Sequence, residues 1–365
     1  MPDYSLHFAD HGGCQTGAFR LIELPKELVA IAEGTIEQSL TIRGGIDEDA
    51  VLCTTDRTYS VRAVTLSNTY FVLAPSQEEA DCAVIRGSVQ QILELAPSVA
   101  KLHKLNGLLR GREYDGIEDA EVGNESNKSY RLETIRASIQ SSDKEFEDGL
   151  RARRILILKG ELRPITLSYL SSVLELILNT MVASSLPLDA APVADITETL
   201  ESDHDISSAV SQQVMSWFGK ITRSSSTESV WGADVENIVR QLGIGLLSGY
   251  RNIPISEEMF MEKWRQTVGD AFEARAQLLL LSGNYICRSS QEGRTLAYFP
   301  SSELPVLPAN RFSDLFLTQT RWRADEIAPF LREIAVDSKE RDKLLMKYAR
   351  TMTDKEGQVW YTSRG

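Results

Sequence analysis

Short runs in which apolar and polar residues alternate fill the start of the chain, at positions 19–24, 36–43, 51–53, 59–64, 70–74 and 83–85. A period of two marks half-buried strands. Gly44-Gly45, Asp56, Ser67-Asn68 and Pro75 fall between the runs, where turns need a positive or preset φ. An antiparallel β domain is predicted, a small barrel or sandwich that is incomplete on its own.

After Gly87 the period changes. Ile92, Leu95, Val99, Leu102, Leu105 and Leu109 recur every three or four residues, which predicts at least one helix. A polar linker is expected at 111–128. Helical patterns then occupy 132–140, 144–151 and 167–182, with a strand-like run at 155–158. The Pro, Ala and acid-rich stretch 184–205 reads as a second linker. Helices follow at 210–218, 235–247 and 257–267, with a Ser/Thr-rich loop at 222–229 and strand-like runs at 285–288 and 295–299. The last stretch repeats this plan, with helices at 311–317, 324–333 and 339–349 before short strands at 350–353 and 359–362. Helices closed by a hairpin are the pattern of winged helices. The expected fold is α+β: an N-terminal barrel-like domain (1–110) followed by winged-helix units at 129–190, 206–300 and 309–365.

Composition narrows the function. The formal net charge of −13 argues against a surface that coats nucleic acid everywhere, since such binding neutralises phosphates. Residues 309–365 nevertheless hold 11 Lys and Arg against 9 Asp and Glu, while the other 308 residues hold 28 against 43. Nucleic-acid contact is therefore sought at the C-terminus. No long apolar stretch or leader pattern is found, so a soluble intracellular protein with no membrane contact is expected. Cys14, Cys53, Cys82 and Cys287 lack paired spacing and predict neither disulfides nor a zinc ribbon.

Catalytic signatures are missing. Gly219-Lys220 fails as a phosphate loop because Val214 and Ile221 stand where Gly and Ser/Thr are needed. Gly243, Gly245 and Gly249 lie in a helical pattern with no preceding strand, so helix packing explains them better than dinucleotide binding. His7, His11 and Cys14 share a helix face only if a helix survives Gly12-Gly13. Asp203-His204-Asp205 precedes a helical run, where an aspartate serves as N-cap. Asn124 and Asn127 head Asn-x-Ser triplets read as chance matches. A protein that is not an enzyme, with no cofactor or metal, is expected.

Residues 51–73, VLCTTDRTYSVRAVTLSNTYFVL, carry an "LC…TY…SN" pattern. EEMFMEKWRQTVG at 257–269 and RFSDLFLTQTRWRADEIAPFL at 311–331 follow in order, then LLMKYAR and a Tyr-Thr-Ser-Arg ending at 361–364. Together these resemble the Dcc (defective in sister chromatid cohesion) family. The resemblance implies a nuclear, non-enzymatic subunit of an alternative sliding-clamp loader. Its N-terminal β region would fold with the C-terminal tail of the large clamp-loader subunit and a small Ctf (chromosome transmission fidelity) partner. It also implies binding to the catalytic subunit of DNA polymerase epsilon, and to DNA through the C-terminal winged helices. The partner contact is placed at Thr58, Tyr59, Val61, Ser67, Asn68, Tyr70 and Val72; an exposed strand edge needs such a cover.

The DNA contact is placed on the last predicted helix. Lys339, Lys343, Lys347 and Arg350 fall opposite Leu344, Leu345 and Tyr348. Arg321, Arg323 and Lys355 extend the patch, diluted by Asp325, Asp342 and Glu356. Lysines without Asn or Gln suit phosphates rather than base edges, so weak, sequence-independent binding is expected. A winged-helix transcription regulator and a purely protein-binding scaffold are the competing readings.

Overall fold

The computed structural model describes residues 5–8, 19–45, 47–75, 82–117, 130–223, 228–291, 293–354 and 357–364. Two compact units form, Met1–Lys101 with Ala137–Phe146 and Leu102–Arg136 with Glu147–Gly365. The fold is mixed α+β with several small sheets.

The first unit contains β1 (Ser5–Phe8), β2 (Leu21–Glu23), α1 (Lys26–Ala32), β3 (Thr41–Arg43), β4 (Val51–Cys53), β5 (Thr58–Pro75) and β6 (Cys82–Pro97). The strand order is β1-β6-β5-β4-β3, with β2 also on β6, and the sheet is open among the described residues. β3 to β6 pair antiparallel as expected, but β1 and β2 run parallel to β6. Two sequence expectations fail here. Ser67-Asn68 is no turn: β5 is continuous, and its pairing jumps from Thr65–Gln91 to Tyr70–Val89, so the extra residues are absorbed as an irregular bulge. Ile92 and Leu95 belong to β6 rather than to a helix, and Ile92 pairs with Val64 on one side and Leu21 on the other. With Leu93 they place apolar groups on both faces, which imitates helical spacing.

A small core of Leu28, Leu52 and Tyr59, flanked by Leu24, Ile31, Leu40, Val61 and Leu95, anchors one end of this sheet. Residues 139–145 bind the same end. Arg43 donates to the Ser141 carbonyl at 2.8 Å and to Asp143 at 2.6 Å. Gln140 donates to the Asp49 carbonyl at 2.6 Å. The Glu145 carboxylate accepts from Thr58 at 2.5 Å and Ser142 at 2.7 Å.

Farther along come α2 (Lys104–Leu108), α3 (Leu132–Ser138), α4 (Asp143–Ala152), β7 (Ile155–Leu158), β8 (Glu161–Pro164) and α5 (Leu167–Ala183). Then follow β9 (Ala191–Pro192), α6 (Val193–His204), α7 (Ser208–Trp217), β10 (Gly219–Arg223), β11 (Ser229–Ala233), α8 (Val235–Ser248), β12 (Ile255–Ser256), α9 (Glu257–Val268), β13 (Tyr285–Ser290) and β14 (Gly293–Tyr298). The last elements are α10 (Pro308–Thr318), β15 (Arg321–Arg323), α11 (Ala324–Ile327), α12 (Ser338–Tyr348), β16 (Ala349–Thr353) and β17 (Val359–Ser363).

These elements repeat a plan three times, beginning at α5, α8 and α10: a helix, a short strand, further helical segments, then a hairpin. In each repeat the short strand pairs antiparallel with the second strand of the hairpin, β9 with β11, β12 with β14 and β15 with β17. Each repeat also buries a tryptophan whose indole N–H donates to a helix carbonyl: Trp231 to Met215 at 2.8 Å, Trp264 to Val239 at 2.9 Å and Trp322 to Leu315 at 3.0 Å. The first two repeats share one core, and the third builds a second core to which Ile286 of β13 also contributes.

The stretch 184–205 is not a linker. α6 buries Val193, Ile196, Thr197 and Leu200, an i, i+3, i+4, i+7 stripe. Asp205 caps its C-terminal end in the left-handed conformation, φ 55°, and Ser207 precedes α7; the Asp203-His204-Asp205 run thus ends a helix instead of starting one. β10 ends at Arg223 and β11 begins at Ser229, so the Ser/Thr-rich loop lies between two strands, its residues 224–227 outside the described residues; 328–331 is a 3-10 turn rather than α-helix.

Helix packing accounts for the α8 glycines: a Cβ on Gly243 would lie 2.5 Å from the Trp264 ring and one on Gly245 would collide with Ser171 Oγ. His7 lies in β1, so it offers no helix face; His11, Cys14, Asn124 and Asn127 lie outside the described residues. Among the described residues no helix is long and apolar enough to cross a membrane, and no His, Cys, Asp and Glu group is placed to hold a metal.

Candidate partner-binding and nucleic-acid surfaces

The long β5–β6 hairpin divides the residues assigned to partner contact. Thr58 is buried and Tyr59 is 1% exposed in the small core, with Val61 packed beside it. Those three serve the chain's own fold. Ser67 and Asn68 are exposed at the bulge, and Val72 is half-buried. Beyond the bulge the hairpin outruns its core, and Tyr70, Phe71, Leu73 and Phe8 are 51%, 53%, 50% and 75% exposed.

Register shows how these apolar groups line up. Leu73 pairs with Ile85, which pairs with Phe8; Pro75 pairs with Ala83, which pairs with Leu6. Directly paired residues share a face, so two neighbouring rows make one apolar strip. Tyr70 and Val72 project from the opposite face by alternation. Tyr70 and Val72 were legible in the sequence as candidates, whereas Leu6 and Phe8 were not, because parallel pairing leaves no local signal.

The third repeat carries the expected cationic surface. Lys339, Lys343 and Lys347 are exposed on α12, while Leu345 is buried and Leu344 and Tyr348 are half-buried. Asp337 caps the helix, accepting from the Glu340 amide at 2.7 Å, and Arg364 donates to the Met346 and Lys347 carbonyls at its other end. Arg350 is not on this helix. α12 stops at Tyr348, and Arg350 is the second residue of β16.

Arg350 nevertheless joins two other assigned residues across the sheet. Arg350 pairs with Thr362, which pairs with Arg321, so both arginines flank one threonine on a single face. Arg321 lies 4.8 Å from the centroid of the Trp360 ring on the same face. Arg323, two residues on, donates its Nε to Asp325 at 3.2 Å, which lowers its availability, while its backbone N–H donates to the Glu326 carboxylate at 3.1 Å at the start of α11. Lys355 lies outside the described residues. The surface is a helix of lysines and a strand face of arginines, flanked by an aromatic ring. Such a set is suited to phosphates rather than to base edges.

An exposed apolar face on the hairpin and a row of exposed lysines on α12 are thus carried by one α+β chain with three related repeats. The sequence matches the family described as "Sister chromatid cohesion protein Dcc1" over residues 19–331, and the chain belongs to that family. It is 26% identical to "Probable sister chromatid cohesion protein DCC1" of Dictyostelium discoideum, covering 95% of this chain and 94% of the relative. It is 27% identical to the Xenopus laevis protein, covering 92% and 87%, and 22% identical to that of Saccharomyces cerevisiae, covering 91% and 93%. These relatives are named for sister chromatid cohesion, and the family is a cohesion family rather than a catalytic one.

Proposed function

We propose that this chain is a non-enzymatic, nuclear scaffold subunit of an alternative sliding-clamp loader that supports sister chromatid cohesion during DNA replication. One observation carries the reading: the distal half of the β5–β6 hairpin exposes apolar side chains on both faces, and an apolar, open-edged sheet needs a cover. A strand-bearing partner supplies it by adding to the sheet, which completes a composite barrel. Family membership supports the large clamp-loader subunit's C-terminal tail and the small Ctf protein as the occupants. The three repeats are winged-helix modules in this reading, and they contact DNA polymerase epsilon and DNA.

Co-expression with the large-subunit tail and the small Ctf protein tests the first part. A stoichiometric complex that elutes together is expected, and separate elution would sink the reading.

DNA contact through the third repeat makes a second expectation. Changing Lys343 and Lys347 to Glu in the full chain should weaken binding to all duplex sequences about equally and flatten the salt slope by about two units. Both side chains are exposed, so stability should move by under about 0.5 kcal/mol. Fluorescence anisotropy against salt concentration reads the slope; an unchanged slope assigns any DNA contact elsewhere.

A further inference from the structure

Away from these surfaces, three stretches of the second unit supply five arginines. Arg151 lies in the last turn of α4, with Arg153 and Arg154 just beyond it, α8 supplies Arg240, and Arg332 follows the 3-10 turn Ala328–Leu331. The sequence signal is the run Arg151-Ala152-Arg153-Arg154, which composition-level reading passes over.

Arg154 is held at φ 55°, a left-handed conformation uncommon for a non-glycine residue and concentrated at functional sites. Its guanidinium lies 4.2 Å from the Phe218 ring centroid and donates to the Asn237 side-chain oxygen at 3.4 Å. Asn237 and Arg240 are one turn apart on α8 and share a face. Arg240 Nε donates to the Leu280 carbonyl at 2.9 Å. Arg153 comes within 3.9 Å of Glu333, but that carboxylate already receives Arg311 at 3.0 Å, and Arg153 Nε is buried without a hydrogen-bond partner.

The electrostatics agree with this geometry. Burial, then the charges of Arg240 and Arg151, push the Arg154 guanidinium down to about 10. Burial and then Arg332 lower Arg240, and burial lowers Arg153 against the pull of Glu333. Arginines do not discharge at neutral pH, so the half-buried Arg154 and Arg240, each set against other arginines, favour an anion beside them.

We propose that Arg153, Arg154 and Arg240, rimmed by the exposed Arg151 and Arg332, form a site for the phosphate of a phosphorylated serine or threonine on a partner protein. A phosphomonoester brings nearly two negative charges and three acceptor oxygens that forked guanidiniums match. Recession decides between phosphate sources. Arg153, Arg154 and Arg240 are half-buried, within reach of a single protruding group, whereas a duplex backbone needs an exposed row such as Lys339, Lys343 and Lys347. The site is independent of the clamp-loader reading.

The test uses the full chain and two degenerate peptide pools, one with phosphoserine at the centre and one with serine. Binding measured by calorimetry should favour the phosphorylated pool by at least about tenfold. Arg240→Gln and, separately, Arg332→Glu should each abolish that preference; Arg332 is exposed, so its variant keeps the test decisive if Arg240→Gln fails to fold. Equal binding of the two pools, or a preference unchanged in Arg332→Glu, overturns the proposal. So does loss of duplex DNA binding in these variants without any phosphopeptide preference, which would make the cluster a nucleic-acid site.

Discussion

Replacing Arg311 by Met should lower the unfolding free energy of the third repeat by about 3–5 kcal/mol, the usual consequence of breaking a buried charge network. Arg311 is 0% exposed on α10. Its Nε donates to the Pro305 carbonyl at 2.7 Å and its Nη1 to the Phe330 carbonyl at 2.6 Å. Its Nη2 donates to the Ser301 and Leu304 carbonyls at 3.1 Å and 3.0 Å and to Glu333 at 3.0 Å. Methionine fills part of the volume but leaves four carbonyls and a carboxylate without this donor. Lysine keeps the charge on one nitrogen and loses the fork, so Arg311→Lys should fall between Met and wild type. Urea titration followed by circular dichroism reads the loss; a drop below about 1 kcal/mol for Met would show that the carbonyls find other donors.

Aspartate in place of Tyr70 and Leu73 should abolish partner assembly while leaving the chain folded. An unpaired charge in an apolar layer costs several kcal/mol, so association should weaken by about a hundredfold or more. Both positions are exposed beyond the hairpin's bulge, so the melting temperature should barely move. Tyr59→Asp makes the contrast: Tyr59 is part of the core with Leu28 and Leu52, and that variant should lose folded protein. Co-elution of the doubly substituted chain with both partners at normal stoichiometry would place the shared surface elsewhere.

How legible each element was depended on its length and on the reach of its partners. α12 was readable because its apolar and cationic positions follow one helical period and Asp337 caps it. β9 and β12 span two residues each and β15 three, too few to show a period, so the short strand of each repeat stayed hidden although helices closed by hairpins were legible. Pro187 and Pro192 with the acids of 195–203 disguised α6 as a linker, although its buried stripe is regular. Ser67-Asn68 has turn chemistry, but cross-strand pairing on both sides outweighed it. Arg311 reads as a surface charge next to Phe312. Only the return of Pro305, Phe330 and Glu333 around it reveals a buried hub, and no local pattern encodes that.

The buried indoles give the chain an optical readout of its own. Of its five tryptophans, Trp231 and Trp264 lie in the core shared by the first two repeats and Trp322 in the core of the third. Each is desolvated and tied to one carbonyl, so emission shifts toward the red as water reaches the ring. Unlabelled protein therefore reports the loosening of both cores by fluorescence, and separate transitions along a denaturant series would tell whether the third repeat opens independently of the first two.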